Sequence, residues 1–235
     1  MQKRISFIVG LACVIARLAD GQGMLIAQHS GDTDPTTEGF TLSLNGGSGG
    51  TVEPVVGDLG LNAWNTTSSG QFAGYYETFT QQKTAELTGK SWVLTLALRN
   101  LGVHTEGYST VFFGTGRMEF YLYFSNESDG DPSVQINSQQ YVLQGAGSTY
   151  NTYQVVYNNA TETADFWVDG QDVIHDVTPD QYSGSANLSW GSGVQIPAEA
   201  NWNLVSLSVV PEPSAVSLLL FGSGAFLYFA KFRRD

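Results

Sequence analysis

The sequence predicts an all-β fold, in which residues 24–209 form an antiparallel sandwich of two sheets. Short apolar or alternating runs separated by turn residues fill this range, and such runs are typical of strands. No part of it has a convincing helical period, so we expect little helix there. Asp169-Gly170 separates two of the runs, and both residues tolerate a positive φ, which indicates a tight hairpin. With 235 residues, of which 42% are hydrophobic, the chain suffices for one such domain.

Twelve runs are candidate strands, and two polar stretches, 45–50 and 65–70, are expected to be exposed loops. The runs show no internal repeat, which argues against a propeller or a solenoid. The candidate strands are residues 24–28, 40–44, 72–79, 92–99, 109–113, 118–124, 141–144, 153–157, 164–168, 172–175, 186–190 and 202–209.

Charge separates the two ends of the chain from its middle. The terminal segments hold six of the ten basic residues, which are Lys3, Arg4, Arg17, Lys231, Arg233 and Arg234. Between residues 22 and 213, twenty acidic residues face only four basic ones, Lys83, Lys90, Arg99 and Arg117. The middle therefore has a formal charge of about −16, which disfavours binding to phosphate backbones or anionic polysaccharide except through cations. We do not expect nucleic acid as a partner.

Residues 1–23 have the features of a secretory signal peptide: a basic start, an apolar stretch and small residues suited to cleavage. Cys13 is the only cysteine and lies in this segment, so a processed chain would have no thiol for a disulfide, a zinc site or a nucleophile. A lipoprotein anchor at Cys13, an uncleaved anchor and a buried first strand are the alternatives for this segment.

Residues 214–230 contain no charge and are followed directly by a basic tail, residues 231–235. As a helix, this stretch would be about 26 Å long, which is close to the shortest length that spans a bilayer. Lys231, Arg233 and Arg234 favour the cytoplasmic side and act as a membrane stop. We therefore expect one transmembrane helix, with the folded domain outside the cytoplasm.

The segment Val210-Pro211-Glu212-Pro213-Ser214, the apolar stretch after it and the final Arg pair together resemble the PEP-CTERM sorting signal of Gram-negative bacteria. The resemblance implies processing near Pro211-Glu212-Pro213 by an exosortase-type membrane protease and anchoring in the cell envelope. It also implies an organism that makes extracellular polysaccharide and biofilm. Independently of the family, Pro211 and Pro213 hold the segment extended, so that it is accessible to a processing enzyme.

A second resemblance covers the predicted domain, residues 24–209. Residues 153–157, a hairpin ending in Val168-Asp169-Gly170, residues 187–191 and residues 202–204 resemble the concanavalin A-like and laminin G-like jelly rolls. The resemblance implies a jelly-roll sandwich, an architecture that serves both lectins and inert structural modules, so the fold does not decide the function.

Catalytic patterns are weak in this sequence, and we expect a protein that is not an enzyme. Glu162 and Asp165 are an odd number of residues apart, which places them on opposite faces of a strand, and Glu119 has no carboxylate partner on its strand. No G-x-S-x-G elbow or P-loop occurs. A glycoside hydrolase is thus the weakest alternative. The histidines are far apart and lack ligands at metal spacing, so we expect surface or strand positions for His29, His104 and His175.

Calcium is the one cofactor that the acidic loops suggest, although solvated turn carboxylates explain them better, and we expect no metal. The loops are Asp32-Thr33-Asp34, Asp129-Gly130-Asp131 and residues 165–176. Carbohydrate binding would need exposed aromatic side chains. The candidates are Trp64, which lies in a loop-like context, and the adjacent Tyr75 and Tyr76, of which one faces outward in a strand. The other tryptophans, Trp92, Trp167, Trp190 and Trp202, are expected in the core.

These observations lead to two hypotheses. The first is an exported, envelope-anchored surface or extracellular-matrix protein with a structural or adhesive role. The alternative is a lectin-like module at the cell surface that binds a glycan such as extracellular polysaccharide.

Overall fold

The structure, a computed structural model, describes residues 23–44, 50–102, 108–193 and 198–210. Residues Leu25–Val209 form a compact unit of their own. His104, the sorting motif, the apolar stretch 214–230, the basic tail and all but the last residue of the predicted signal peptide lie outside the described residues. Within the described ranges, no helix is both long and apolar enough to span a bilayer.

Two sheets form the sandwich, and we name them sheet A and sheet B. Sheet A has the strand order β13-β12-β11-β6-β16-β4-β3, with β1 also on β16. Its strands are β1 (Met24–Ser30), β3 (Gly50–Asp58), β4 (Leu61–Ser68), β6 (Trp92–Asn100), β11 (Asn151–Asn158), β12 (Thr163–Val168), β13 (Gln171–Val177) and β16 (Ala198–Val209).

Sheet B has the order β10-β9-β8-β7-β15-β5-β2, with β14 also on β8. Its strands are β2 (Thr41–Leu44), β5 (Ala73–Thr78), β7 (Ser109–Gly114), β8 (Met118–Asn126), β9 (Pro132–Ile136), β10 (Gln139–Val142), β14 (Asp180–Gln181) and β15 (Asn187–Ser192). Neighbours along both orders pair antiparallel. The predicted antiparallel two-sheet sandwich is confirmed.

The core lies between the two sheets and is built by strict alternation. Trp92, Leu94, Leu96 and Leu98 of β6 point inward, and the residues between them are half-buried on the outer face. Trp92, Trp190 and Trp202 are fully buried, as expected. Trp167 is not in the core, because it alternates with buried Phe166 on β12 and lies half-buried on the outer face of sheet A.

Two short helices lie in the domain, where the sequence shows no convincing helical period. Helix α1 (Gln81–Leu87) is capped by Thr80, whose side chain accepts from the Lys83 amide at 3.3 Å, and Leu87 is its buried residue. A four-residue 3₁₀ helix (Pro35–Glu38) is capped by Asp34. Both helices are too short to show a helical period, so capping residues rather than apolar spacing define them.

The stretch 65–70, predicted as an exposed loop, is largely strand, because Asn65–Ser68 is the end of β4. Asn65, Thr66 and Ser68 are buried and hydrogen-bonded. Thr66 Oγ1 accepts from Trp202 Nε1 at 2.9 Å, and Ser68 Oγ donates to the Gly193 carbonyl at 2.7 Å. Polar groups buried with partners carry little penalty, which is why a stretch with loop composition can form a strand. Strands β3, β9 and β14 were also missed, and the candidate 141–144 is shifted to Gln139–Val142.

Candidate functional site

The face of sheet B that points away from sheet A carries a band of aromatic side chains. In β8, Phe120, Leu122 and Phe124 fill the core, so Tyr121 and Tyr123 point outward. The same alternation in β7 and β5 turns Phe112 and Tyr76 to this face. We call the following set the aromatic band: Tyr76, Tyr108, Phe112, Tyr121, Tyr123 and Tyr182.

The rings of the band support one another across the strands. Phe112 lies opposite Tyr121, with ring centroids 4.8 Å apart. Tyr123 stacks on Tyr121 at 6.1 Å with an interplanar angle of 8°, and Tyr108 meets Tyr123 edge-on at 5.6 Å. Such pairs hold large side chains in fixed orientations. The band is thus a preformed, partly exposed aromatic surface.

A row of residues that shares Tyr123 with the band crosses six strands of sheet B, and we call this row the trough. The ladder pairs its members in the order Gly74, Gly191, Thr110, Tyr123, Gln135 and Gln140. The glycines are required by backbone packing, since a Cβ on Gly74 would lie 2.2 Å from the Trp190 carbonyl oxygen and one on Gly191 2.4 Å from that of Ala73. Neither position carries a side chain of its own, and the ring of Phe72 comes to 3.0 Å from the Cβ position of Gly74.

One end of the trough opens into a cavity of about 170 Å³. Its lining is mostly hydroxyl and amide groups, from Tyr108, Tyr123, Ser125, Asn126, Glu127, Ser133, Gln135 and Gln140. Gln140 Nε2 donates to Ser133 Oγ at 2.7 Å and to Glu127 Oε1 at 3.1 Å, and Gln135 Nε2 donates to the Asn137 carbonyl at 2.7 Å. These bonds fix the amides of the cavity wall in defined orientations.

The electrostatics of this face are acidic. Neither the band nor the cavity lining includes a lysine or arginine, whereas Glu127 lies in the cavity and Glu119 projects beside Tyr121. Burial, and then the negative charge of Glu119, raises the pKa of Tyr121 and of Tyr123. Burial and the nearby Asp180 raise the pKa of Glu119 in turn. The tyrosines therefore present neutral hydroxyl groups over the whole physiological range.

The structure separates the three predicted contact residues. Tyr76 lies in the aromatic band and is 39% exposed. Tyr75 is inside the sandwich, only 2% exposed, with its ring 4.9 Å from that of Trp190, so it cannot reach an external ligand. Trp64 is a half-buried residue of β4, not of a loop, and packs edge-on against Tyr75 at 6.2 Å. Trp64 and Tyr76 therefore belong to different sheets.

The predicted calcium loops use their carboxylates mainly to fix turns. Asp34 accepts from the Thr36 amide at 2.8 Å, and Asp131 accepts from the amides of Gly145 and Gly147 at 2.7 and 3.3 Å. In the segment 165–176, two register shifts between β12 and β13 bring the ligand atoms of Asp165, Asp172 and His175 within 4.8 Å of one another. Asp165 also accepts from the Asp176 amide, and His175 is largely exposed.

His29 and Glu38 form a pair that sequence spacing did not reveal. His29 is fully buried in β1, and its Nδ1 lies 2.7 Å from Glu38 Oε2. Burial lowers the pKa of His29, and the neighbouring Glu38 opposes that shift. Because the ring lies within the core, this pair serves the fold rather than an external substrate.

No family model and no curated protein matches the chain. Solved structures share its fold. A carbohydrate esterase from a Shiga toxin-encoding bacteriophage superposes with a TM-score of 0.54 at 13% identity, covering 81% of this chain and all of the other. The globular domain of T. cruzi calreticulin gives 0.52 at 10% identity, covering 88% and 95%. A botulinum neurotoxin type C structure gives 0.54 at 9% identity, covering 84% of this chain and 51% of the toxin chain. Identities this low establish a common fold and nothing about activity.

Proposed function

We propose that the sandwich domain binds carbohydrate through the outer face of sheet B and gives the protein an adhesive role at the cell envelope. The observation that carries this proposal is the junction of the aromatic band with the amide-lined cavity at Tyr123. Sugars present apolar C–H faces that stack on aromatic rings, and hydroxyl groups that both donate and accept hydrogen bonds. Gln135, Gln140 and Ser133 offer both functions at one place.

Binding without hydrolysis is the form of the proposal that the cavity favours. A glycosidase needs two carboxyl groups facing each other across the scissile bond, whereas the cavity lining includes one carboxylate, Glu127. Two fold neighbours are a carbohydrate esterase and a neurotoxin whose cell entry depends on two ganglioside molecules. They share only the fold with this chain, so the band and the cavity carry the argument.

The envelope location in this proposal rests on the sequence alone. Residues 1–23 would direct export, Pro211-Glu212-Pro213 would be the processing site of an exosortase-type protease, and residues 214–230 with Lys231, Arg233 and Arg234 would hold the chain in the membrane. Exported in this way, the acidic sandwich would face the extracellular polysaccharide of a Gram-negative cell. An inert structural role in the matrix is the second candidate.

The test compares the purified full chain with Tyr123→Ala on immobilised polysaccharides. We expect the parent to be retained by at least one of them, and the variant to bind about tenfold more weakly, because it loses one stacked ring. Trp167→Ala, which removes an outward aromatic residue from sheet A, is the matched control and should bind normally. Chelation of calcium should leave retention unchanged. Equal retention of the parent and Tyr123→Ala would exclude this face as the binding site.

A further inference from the structure

Resting on the proposed function, we infer that the ligand is an uncharged polysaccharide whose extended chain lies in the trough, across the strands of sheet B, with one sugar unit in the cavity.

The direction of the trough supports an extended chain. Its open part spans five strands, from Gly191 in β15 to Gln140 in β10. At about 4.8 Å between neighbouring strands, its length is about 19 Å, which is enough for several sugar rings in a row. A site for one monosaccharide would need only the cavity.

The walls of the trough support the same orientation. On one side stands a parallel row that the ladder pairs as Tyr76, Ser189, Phe112 and Tyr121. On the other side Tyr108, which is 39% exposed, meets Tyr123 edge-on. Between these walls, no side chain rises at Gly191, whereas the ring of Phe72 covers Gly74 and ends the trough there. A ribbon-shaped molecule fits this relief, with its edges toward the aromatic wall and its hydroxyl groups toward Thr110, Gln135 and Gln140.

Charge sets the chemical class. An anionic sugar in the cavity would meet Glu127, without a lysine or arginine in the cavity lining to compensate. Like charges brought together in a partly buried site repel each other and weaken binding. Among the basic residues of the described chain, Arg99 and Lys83 pair with Asp58 and Glu77 respectively, and Lys90 and Arg117 are not part of the cavity lining. The charge of the cavity therefore favours an uncharged chain over uronic-acid and sialylated polymers.

The experiment measures affinity by calorimetry, with the full chain in a detergent that has no sugar headgroup. The probes are uncharged oligosaccharides from two to six units, made of β-1,4-glucose, β-1,3-glucose, xylose and mannose, together with alginate and polygalacturonate as polyanions. We expect the affinity for one uncharged series to rise at least tenfold from the dimer to the hexamer. We expect no binding of the polyanions.

Two variants locate the chain. Tyr123→Ala should weaken binding of every length, because this ring lines both the trough and the cavity. Tyr76→Ala should weaken the hexamer about threefold and leave the dimer unchanged, because Tyr76 flanks the far end, beside Gly74 and Gly191. Tyr123→Phe keeps the ring, and the near-ultraviolet circular dichroism of the buried tryptophans reports folding in each variant.

The outcomes separate the inference from the function on which it rests. If a polyanion binds and Tyr123→Ala abolishes that binding, the face binds carbohydrate but the inferred class is wrong. If affinity does not change with length, or Tyr76→Ala affects the dimer as much as the hexamer, the chain does not lie along the trough. If no probe binds, both the inference and the proposed function are wrong.

Discussion

The imidazole of His29 lies nearly parallel to the indole of Trp190, with ring centroids 4.8 Å apart and an interplanar angle of 19°. His29 comes from β1 of sheet A and Trp190 from β15 of sheet B, so the contact joins the two sheets in the core. A titratable group at this position links the stability of the sandwich to pH.

Stability should fall as pH drops below about 6.5, the ordinary value for histidine, because burial lowers the pKa of His29 in the folded state. Below that pH the unfolded chain takes up a proton at His29 and the folded chain does not, so protonation favours unfolding; above it the stabilisation is fully present. Thermal unfolding of the parent and of His29→Phe between pH 5 and 8 measures this. The dependence of the melting temperature on pH should become weaker in His29→Phe and stay the same in His175→Gln, whose side chain is exposed. An unchanged pH dependence in His29→Phe would exclude His29 as the cause.

Removing the Thr66 hydroxyl should destabilise the domain. Thr66→Val leaves Trp202 Nε1 buried without its acceptor. It also removes the hydrogen bond between Thr66 Oγ1 and Ser192 Oγ, which lie 3.0 Å apart. An unsatisfied buried donor costs about 1–3 kcal/mol. Urea unfolding should show this loss, whereas Thr41→Val on the exposed edge strand β2 should change the free energy of unfolding by less than about 0.5 kcal/mol. Equal effects at both sites would argue against the buried bond.

Asp58 should stabilise the β3–β4 hairpin at neutral pH. Its carboxylate contacts Arg99 Nη1 at 2.5 Å, Asn201 Nδ2 at 2.7 Å and the Tyr150 hydroxyl at 2.9 Å. Although burial raises its pKa, these donors outweigh burial and lower the pKa below the usual value. Asp58→Ala should cost about 1.5–3 kcal/mol at pH 7 in urea unfolding.

That cost should shrink as pH falls below about 4, because the parent then loses the same interaction by protonation. Glu53→Gln, an exposed change on the same hairpin, is the control. A cost for Asp58→Ala that stays constant down to pH 2 would show that the charge of Asp58 is irrelevant.

The two parts of the sorting signal should be separable. Deleting residues 214–235 should release the folded domain in soluble form, because the apolar stretch and its basic stop provide membrane retention. Replacing Pro211-Glu212-Pro213 by alanines should leave the chain inserted but unprocessed. Fractionation and intact-mass measurement in a host with an exosortase test both; trimming near residue 211 in the motif variant would contradict the interpretation.

The strands with clean alternation were predictable from sequence, and those with buried polar residues were not. Residues 92–99 and 118–124 follow the period of two, and both are strands. Residues 65–68 look like a loop because their polarity hides that Thr66 and Ser68 face inward, where partners distant in sequence satisfy them. Pairing across more than 100 residues leaves no local signal.

The candidate site was predictable only in part, for a related reason. Tyr76 was found, but the choice between Tyr75 and Tyr76 depends on which alternate positions face the core. A charged residue at position 77 suggests that the odd-numbered positions of this strand face the solvent. In the structure Glu77 points inward and is buried, and its carboxylate pairs with Lys83 Nζ at 2.5 Å. Tyr121 and Tyr123 belong to a predicted strand, but their meeting with Tyr108 and Gln135 depends on the order of strands, which the sequence does not reveal.

The hydrogen bonds of Thr66 and Ser68 fix the position of sheet A relative to sheet B. Apolar faces slide past each other at little cost, since contact between them has no preferred direction, but a buried hydrogen bond has a fixed length and angle. Ser192 Oγ, at the end of β15, donates to the Thr66 carbonyl at 2.6 Å, and Ser68 Oγ holds the next residue, Gly193. The two bonds join β4 of sheet A to the end of β15, the strand that carries Gly191, and thereby oppose sliding of one sheet over the other at this strand.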